Sequence, residues 1–134
     1  MSLTPEELVW IATVFDCEGC IYLQKQKQRR KDGEIRTYEY VLCCIGHCSL
    51  DLITRFHELV GVGTVYTYGQ KYAYLYKTER KTVYRWQISK RSEVKEFIAL
   101  IWGEWLSEYR RETARTLGVA PNAEAHSQDL QTTD

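Results

Sequence analysis

The segment Ile11–Gly19, with the sequence IATVFDCEG, ends an apolar helical pattern with two carboxylates, Asp16 and Glu18, and a glycine. Acidic side chains at a helix C-terminus face the negative end of the peptide dipole, and no Lys or Arg lies in this last turn to offset them. A group outside the helix is therefore expected to compensate the charge. A divalent cation is one candidate, because hard metals take oxygen ligands. The alternative is that both acids are solvated and Gly19 is only a helix cap.

Length and composition indicate one domain with a single core, because the chain has 134 residues. The sequence contains neither an apolar segment of transmembrane length nor a basic-then-apolar signal pattern at its N-terminus. We therefore expect an intracellular protein, from a prokaryotic cytoplasm or an organelle, without a membrane partner. Five cysteines, an odd number without secretory context, indicate free thiols rather than a disulfide framework.

The formal net charge of zero hides a basic middle section. Residues 24–91 contain fourteen Lys and Arg and six Asp and Glu, a formal charge of +8. The rest of the chain contains four Lys and Arg and twelve Asp and Glu, a formal charge of −8. Nine of the ten tyrosines lie between Tyr22 and Tyr84, interleaved with these basic residues and with glutamines. Such a surface suits phosphate contact and base-edge reading. The alternative is a solvated sheet face on which strand propensity favours tyrosine.

The first half of the chain predicts a helix followed by a hairpin. The segment 4–7, TPEE, has an N-cap Thr, a Pro at the first helical position and a Glu three residues after the cap, so helix one begins near Pro5 and runs to about Cys17. Beyond Gly19, period-two alternation predicts a strand, and the segment 31–34, KDGE, predicts the hairpin turn. The return strand is expected from Ile35 to Ile45. Its predicted inward residues are Val41, Cys43 and Ile45.

The second half predicts a helix, a long hairpin and a final helix. Ser49 is expected to cap helix two, which ends at Gly61 or Gly63. Two strands are expected next, over Thr64–Tyr76 and Thr82–Ser89, joined by a turn at Lys77–Lys81 and with a bulge at Gly69 and Gln70. The final predicted helix covers Ser92–Leu117. Its expected buried residues are Val94, Phe97, Ile98, Ile101, Trp102, Trp105 and Leu106. We expect one domain over residues 1–118 and a disordered polar tail over residues 119–134.

The chain resembles the LAGLIDADG homing endonuclease family. Ile11–Gly19 matches the nine-residue signature of that family, and the predicted element order matches its α+β fold, alpha-beta-beta-alpha-beta-beta-alpha with a four-stranded antiparallel DNA-binding sheet. The segments 61–63, GVG, and 86–89, WQIS, strengthen the resemblance, which covers the chain to about Gly118. It implies a site-specific, divalent-metal-dependent DNA endonuclease of the kind associated with intron or intein mobility.

The resemblance also implies how the site is assembled. Ile11–Gly19 occurs once, and family members with one motif form homodimers whose motif helices pack along the twofold axis. The residues expected at this dimer interface are Ala12, Thr13, Asp16 and Cys17. Asp16 is expected to be structural. Thr13 stands where the family often has glycine, which affects how closely the two helices can approach.

Catalytic and metal-binding roles follow from the same resemblance. Glu18 falls at the position of the metal-binding carboxylate, with the Gly19 carbonyl as a further ligand of Mg²⁺, which Mn²⁺ or Ca²⁺ can replace for binding. His47 lies where the family places a polar residue near the attacking water, although it can equally pack against helix two. The family often has a Lys in helix three where this chain has Tyr109, so Arg110 is the expected source of positive charge.

Strand residues on one face are expected to bind double-stranded DNA in its major groove, over a long and roughly palindromic site. These predicted DNA-binding residues are Tyr22, Gln24, Gln26, Gln28, Arg30, Arg36, Tyr38, Tyr40, Tyr66, Tyr68, Arg85 and Gln87.

Two other interpretations compete with the metal-dependent nuclease. Cys17-x-x-Cys20 and the segment 43–48, CCIGHC, resemble zinc ligand clusters, but the thiols do not obviously converge, so we expect buried small hydrophobic residues and no zinc. A catalytically inactive DNA-binding regulator or an intron RNA maturase of the same fold is the stronger rival. The missing helix-three Lys favours it, whereas Glu18 favours a nuclease.

Overall fold

Helix α1 spans Pro5–Glu18 and begins with the predicted capping box. The Thr4 hydroxyl accepts a hydrogen bond from the Glu7 backbone N–H, and the Glu7 carboxylate accepts one from the Thr4 N–H, which satisfies two donors that the helix leaves unpaired. The computed structural model describes residues 3–68, 82–103 and 106–121.

After α1 the chain forms two strands and a helix, and then two more strands and two more helices. The further elements are β1 (Gly19–Arg29), β2 (Ile35–His47), α2 (Leu50–Val60), β3 (Thr64–Tyr68), β4 (Val83–Ile88), α3 (Arg91–Ile101) and α4 (Glu108–Thr116). Ser49 caps α2, and Gly61, with φ +84°, ends it. None of the described helices is long and apolar enough to cross a membrane. The predicted turn at Lys77–Lys81 and the predicted bulge at Gly69 and Gln70 lie outside the described residues.

The four strands form one antiparallel sheet in the order β1-β2-β4-β3. One face, here called the inner face, packs against the helices. The core contains an aromatic cluster with two edge-to-face pairs. The ring centroids of Phe56 and Trp86 are 4.8 Å apart, and those of Phe15 and Phe97 are 5.0 Å apart. The opposite face of the sheet is called the outer face. The α+β fold with a four-stranded antiparallel sheet is therefore confirmed.

The predicted helix Ser92–Leu117 is wrong as a single element. Helix α3 ends at Ile101, and α4 begins at Glu108 with Ser107 as its N-cap, the Ser107 hydroxyl accepting from the Arg110 backbone N–H. Val94, Phe97, Ile98, Ile101 and Leu106 are buried as expected, whereas Trp102 is only half-buried and Trp105 lies outside the described residues. The break lets α4 fold back against β1.

The packed part of the chain also extends past the predicted boundary at Gly118. Val119 is fully buried in the core, and its N–H donates to the carbonyl of Ala114. Val119 therefore belongs to the packed part of the chain and not to the predicted disordered tail. Residues 122–134 lie outside the described residues.

Candidate nucleic-acid interface

The end of α1 runs directly into β1 through Gly19. Gly19 is buried, and a Cβ at this position would collide with the carbonyl oxygen and the ring of Phe15. The close approach of the chain to its own preceding helical turn therefore requires glycine here. As a result, Glu18 is the last residue of the helix and lies at the very start of the sheet.

Arg110 compensates the acidic end of α1. Its Nη2 donates to the carbonyl oxygens of Gly19 and Asp16, and its Nε lies 4.0 Å from Asp16 Oδ1. Asp16 Oδ1 also accepts from the Ser107 backbone N–H at 3.2 Å. The arrangement places a positive charge beside the Asp16 carboxylate and supplies donors to the main-chain carbonyls at the end of the helix.

Glu18 is left out of this arrangement. Its side chain is exposed, and within the described residues it has neither a hydrogen bond nor an ion pair. The two acids of the motif thus have different environments. Asp16 is held within the fold, and Glu18 extends into solvent beside the first residue of β1. The Gly19 carbonyl, the second predicted metal ligand, already accepts the Arg110 hydrogen bond.

His47 lies at the same end of the β1–β2 pair as Glu18. Gly19 pairs with Ile45, so the last residue of β2 extends next to the end of α1. His47 Nδ1 accepts a hydrogen bond of 2.9 Å from the Ser49 backbone N–H. In the neutral imidazole this fixes the proton on Nε2, which makes that nitrogen a donor. A donor can orient a water molecule but cannot take its proton.

Strand register places the predicted DNA-binding residues of β1 and β2 opposite one another. Gln24 pairs with Tyr40, Gln26 with Tyr38, and Gln28 with Arg36. Directly opposite residues share a face of the sheet. Because Ile21 and Val41 of the same strands point into the core, these six residues lie on the outer face. Arg30 follows directly after the end of β1.

The other half of the outer face comes from β3 and β4. Trp86 is fully buried in the core, so its neighbours Arg85 and Gln87 lie on the outer face. Tyr66 pairs with Arg85 in register, and Tyr68 pairs with Val83 at the end of the described part of β3. The two strands thus extend the same polar surface.

Two side-chain hydrogen bonds cross this outer face. Arg85 Nη2 donates to the Tyr22 hydroxyl at 2.8 Å, spanning β2, and the Tyr66 hydroxyl donates to Gln87 Oε1 at 2.6 Å. Gly46, the register partner of Arg85, has no side chain to obstruct the guanidinium. Tyr22, Arg85, Tyr66 and Gln87 are therefore held by hydrogen bonds to one another, whereas Gln26, Gln28, Arg36 and Tyr38 are exposed.

The predicted dimer-interface residues differ in exposure. Thr13 and Cys17 are exposed, and Asp16 is half-buried with its carboxylate engaged by Arg110 and Ser107. Ala12 is fully buried in the core of its own chain, so its inclusion in a surface for a partner was wrong. Of the four predicted interface residues, only Thr13 and Cys17 are therefore exposed.

The cysteines were expected to be buried small hydrophobic residues, which holds for only two of them. Cys43 and Cys44 are buried, whereas Cys17, Cys20 and Cys48 are exposed. Burial raises the pKa of the Cys43 thiol to about 12. Burial also raises the pKa of Cys44, and the nearby Arg85 partly opposes this effect. Among the described residues, no group of three or more His, Cys, Asp or Glu side chains is placed to hold a metal ion.

The role of Arg110 as the cap of α1 was missed in the sequence analysis. Arg110 was assigned to catalysis, yet its guanidinium contacts Asp16, Gly19 and the ring of Phe15, 5.9 Å away. The only sequence signal was the unpaired acidic helix end itself, which requires a partner but does not identify one. Its catalytic role stays a prediction.

No protein-family model matches the sequence, and no curated protein matches it. Solved structures match the fold instead. The intron-encoded homing endonuclease I-CeuI, complexed with DNA, has a TM-score of 0.65 at 11% identity, covering 88% of this chain and 55% of its own. The LAGLIDADG meganuclease I-CpaMI, bound to uncleaved DNA, has a TM-score of 0.58 at 17% identity, covering 84% and 35%. The homing endonuclease I-TnaI has a TM-score of 0.55 at 21% identity, covering 82% and 65%.

This chain thus spans between about a third and two thirds of the length of these proteins. The chain has the fold of the LAGLIDADG homing endonucleases.

Proposed function

We propose that this chain is one half of a site-specific DNA endonuclease. Two copies bind a long, pseudo-palindromic duplex site with their outer faces and hydrolyse one phosphodiester bond in each strand, using a divalent metal ion. The observation that carries the proposal is the position of Glu18, a free carboxylate at the end of a face made of glutamine, arginine and tyrosine.

The chemistry of the outer face suits the major groove. Glutamine can bind adenine with two hydrogen bonds, and arginine can bind guanine in the same way. Gln26 and Gln28 are exposed at neighbouring outward positions of β1, opposite Tyr38 and Arg36. A two-stranded ribbon of this kind fits the width of the groove.

The residues present fit a divalent metal in part. Glu18 offers the hard oxygen donor that Mg²⁺ prefers, and its lack of a protein partner leaves both oxygens available. Gly19 fits less well, because Arg110 already uses its carbonyl oxygen. When bound, the metal would stabilise the charge that develops on the phosphate and its leaving oxygen. One carboxylate per chain is too few, so the second comes from Glu18 of another copy.

His47 is proposed to orient the attacking water. Its Nε2–H, fixed by the Ser49 contact at Nδ1, can donate to a water molecule at the end of β2 nearest Glu18. Proton removal would then fall to another acceptor, such as bulk water or the phosphate itself.

A DNA- or RNA-binding protein that does not cleave is the second candidate. This candidate is favoured because Arg110 donates its hydrogen bonds to the end of α1, so its positive charge is already used within the fold. Tyr109, at the position where the family often has Lys, is 75% exposed and carries no charge. Such a protein would act as a regulator or as an intron RNA maturase.

Selection from a random duplex library tests the proposal. We expect the enriched duplexes to show a roughly palindromic consensus, the protein to be a dimer at working concentration, and the selected duplexes to be cut when Mg²⁺ is added. Bound duplexes that stay intact with Mg²⁺ and with Mn²⁺ would identify a binding protein. A monomer on its selected site would contradict the shared metal site.

A further inference from the structure

Two thiols face each other on the outer face of the sheet. Cys20 of β1 and Cys44 of β2 are direct partners in the strand register. Both point outward, because the neighbouring Ile21 and Cys43 belong to the core on the inner face. Cys20 is exposed, and Cys44 is 9% exposed.

The register brings this pair within the range of a disulfide bond. Directly opposite residues of an antiparallel pair have Cα atoms about 4.5–5.5 Å apart, inside the range of about 4.4–6.8 Å that a disulfide spans. Their Cβ atoms are also about 4.5–5.5 Å apart, whereas a disulfide needs about 3.5–4.5 Å. A bridge is therefore possible after a small approach of the two strands, and the resulting strain makes it easy to reduce.

We propose that Cys20 and Cys44 form a reversible disulfide when the protein meets a small-molecule disulfide such as oxidised glutathione. The exposed Cys20 thiolate attacks one sulfur of the small molecule and releases the first thiol. The Cys44 thiol then loses its proton and attacks the Cys20 sulfur, which releases the second thiol. Two protein thiols are oxidised to one disulfide, and one small-molecule disulfide is reduced to two thiols. Other pairings are less direct, because Cys43 lies on the opposite face and Cys17 belongs to a helix.

The position of the bridge gives it a consequence, which rests on the proposed function. Arg85 lies close enough to Cys44 to lower the pKa of its thiol, and it donates a hydrogen bond to the Tyr22 hydroxyl. A disulfide removes this thiol and draws β1 and β2 together beneath the guanidinium. Cys20 also lies two residues from Glu18. Oxidation would therefore distort the outer face where Arg85 is placed for base contact.

Counting free thiols tests the site without any use of DNA. The full-length protein is incubated with oxidised glutathione, quenched with acid, unfolded and alkylated, and its mass is measured. Wild type has five cysteines, so loss of two should leave three alkylated thiols, with no retained glutathione and no disulfide-linked dimer. Five alkylated thiols, a stable glutathione adduct or a covalent dimer would each overturn the proposal.

Matched variants identify the bridge. In Cys20→Ser all four remaining thiols should be alkylated, and in Cys44→Ser the glutathione should stay on Cys20 and leave three alkylated thiols, whereas in Cys48→Ser and Cys17→Ser only two of the four should be alkylated. Because Cys20 is exposed, Cys20→Ser preserves the packing and decides the outcome even if Cys44→Ser does not fold. Loss of the bridge in Cys48→Ser or Cys17→Ser, with its retention in Cys20→Ser, would contradict the assignment.

The effect on DNA is measured separately on a selected duplex. Oxidised wild type should bind about tenfold more weakly, the value expected when one arginine–guanine pair is lost, and dithiothreitol should restore binding. Oxidant should leave the binding of Cys20→Ser unchanged. Equal binding before and after oxidation would overturn the regulatory part. If the reduced protein binds no duplex, the proposed function fails while the thiol count still decides the disulfide site.

Discussion

Arg110 donates a hydrogen bond to the carbonyl oxygen of Gly19, a residue 91 positions earlier in the chain. The same guanidinium is paired with Asp16, whose carboxylate accepts from the backbone of Ser107. The acidic end of α1 therefore has its counter-charge inside the protein. Of the two acids in this segment, Glu18 has no such partner among the described residues, which is why it is the carboxylate that we propose for metal binding.

Replacing Arg110 by Met should destabilise the fold by roughly 1.5–3 kcal/mol, because charge-assisted hydrogen bonds are lost and Asp16 is left without its partner. The free energy of unfolding in urea measures this. Arg111→Met is the matched control, since Arg111 lies over the Trp102 ring at 5.7 Å, a contact worth about 0.5–1 kcal/mol when exposed. Equal losses in the two variants would show that Arg110 is not a specific cap.

Gly63→Ala should be more destabilising than Gly33→Ala. Both glycines have positive φ, +106° and +87°, so each alanine carries a backbone strain of about 1–2 kcal/mol. A Cβ at Gly63 would in addition lie 2.9 Å from Cε2 of Trp86, whereas nothing lies within 4 Å at Gly33. Overpacking adds roughly 1–3 kcal/mol. Urea unfolding of both variants provides the comparison, and a smaller loss for Gly63→Ala would contradict the described packing.

Gln26→Ala should relax DNA specificity at one base position in each half-site, with a loss of about 1–3 kcal/mol in discrimination. Thr37→Ala is the matched control, because Thr37 is also exposed in the same hairpin but lies next to the outward Tyr38 and so faces the other side. Repeating the library selection with both variants measures the effect. A specificity change in Thr37→Ala, with none in Gln26→Ala, would show that the face opposite the outer face contacts the bases and would contradict the prediction.

Local signals in the sequence predicted most of the fold. The capping box at Thr4, the alternation along β1 and β2 and the glycine that ends α2 each act within a few residues, so they can be read without knowing the tertiary structure. The alternation of apolar and polar residues also predicted which residues lie on the outer face, because successive side chains of a strand point to opposite faces. The order of the strands in the sheet and their register could not be predicted from these local signals, because both depend on contacts between distant parts of the chain.

The break between α3 and α4 was missed because apolar residues continue at helical spacing from Val94 to Leu106. Gly103, near the break, costs only about 1 kcal/mol within a helix and does not by itself end one. Ser107 is the signal that could have found the second start, since its hydroxyl caps α4. The Arg110 contact could not be predicted while α3 and α4 were read as one helix, because the break is what turns Arg110 towards Gly19.

Cleavage of a selected duplex in Mg²⁺, compared between wild type and Glu18→Gln, shows whether Glu18 is the metal-binding carboxylate. Glutamine preserves size but not charge, so we expect wild type to cut both strands and Glu18→Gln to bind with similar affinity while losing at least about a hundredfold in cleavage rate. Glu34→Gln, which changes an exposed acid in the hairpin turn, should cut like wild type. Cleavage by Glu18→Gln at the wild-type rate would contradict the account.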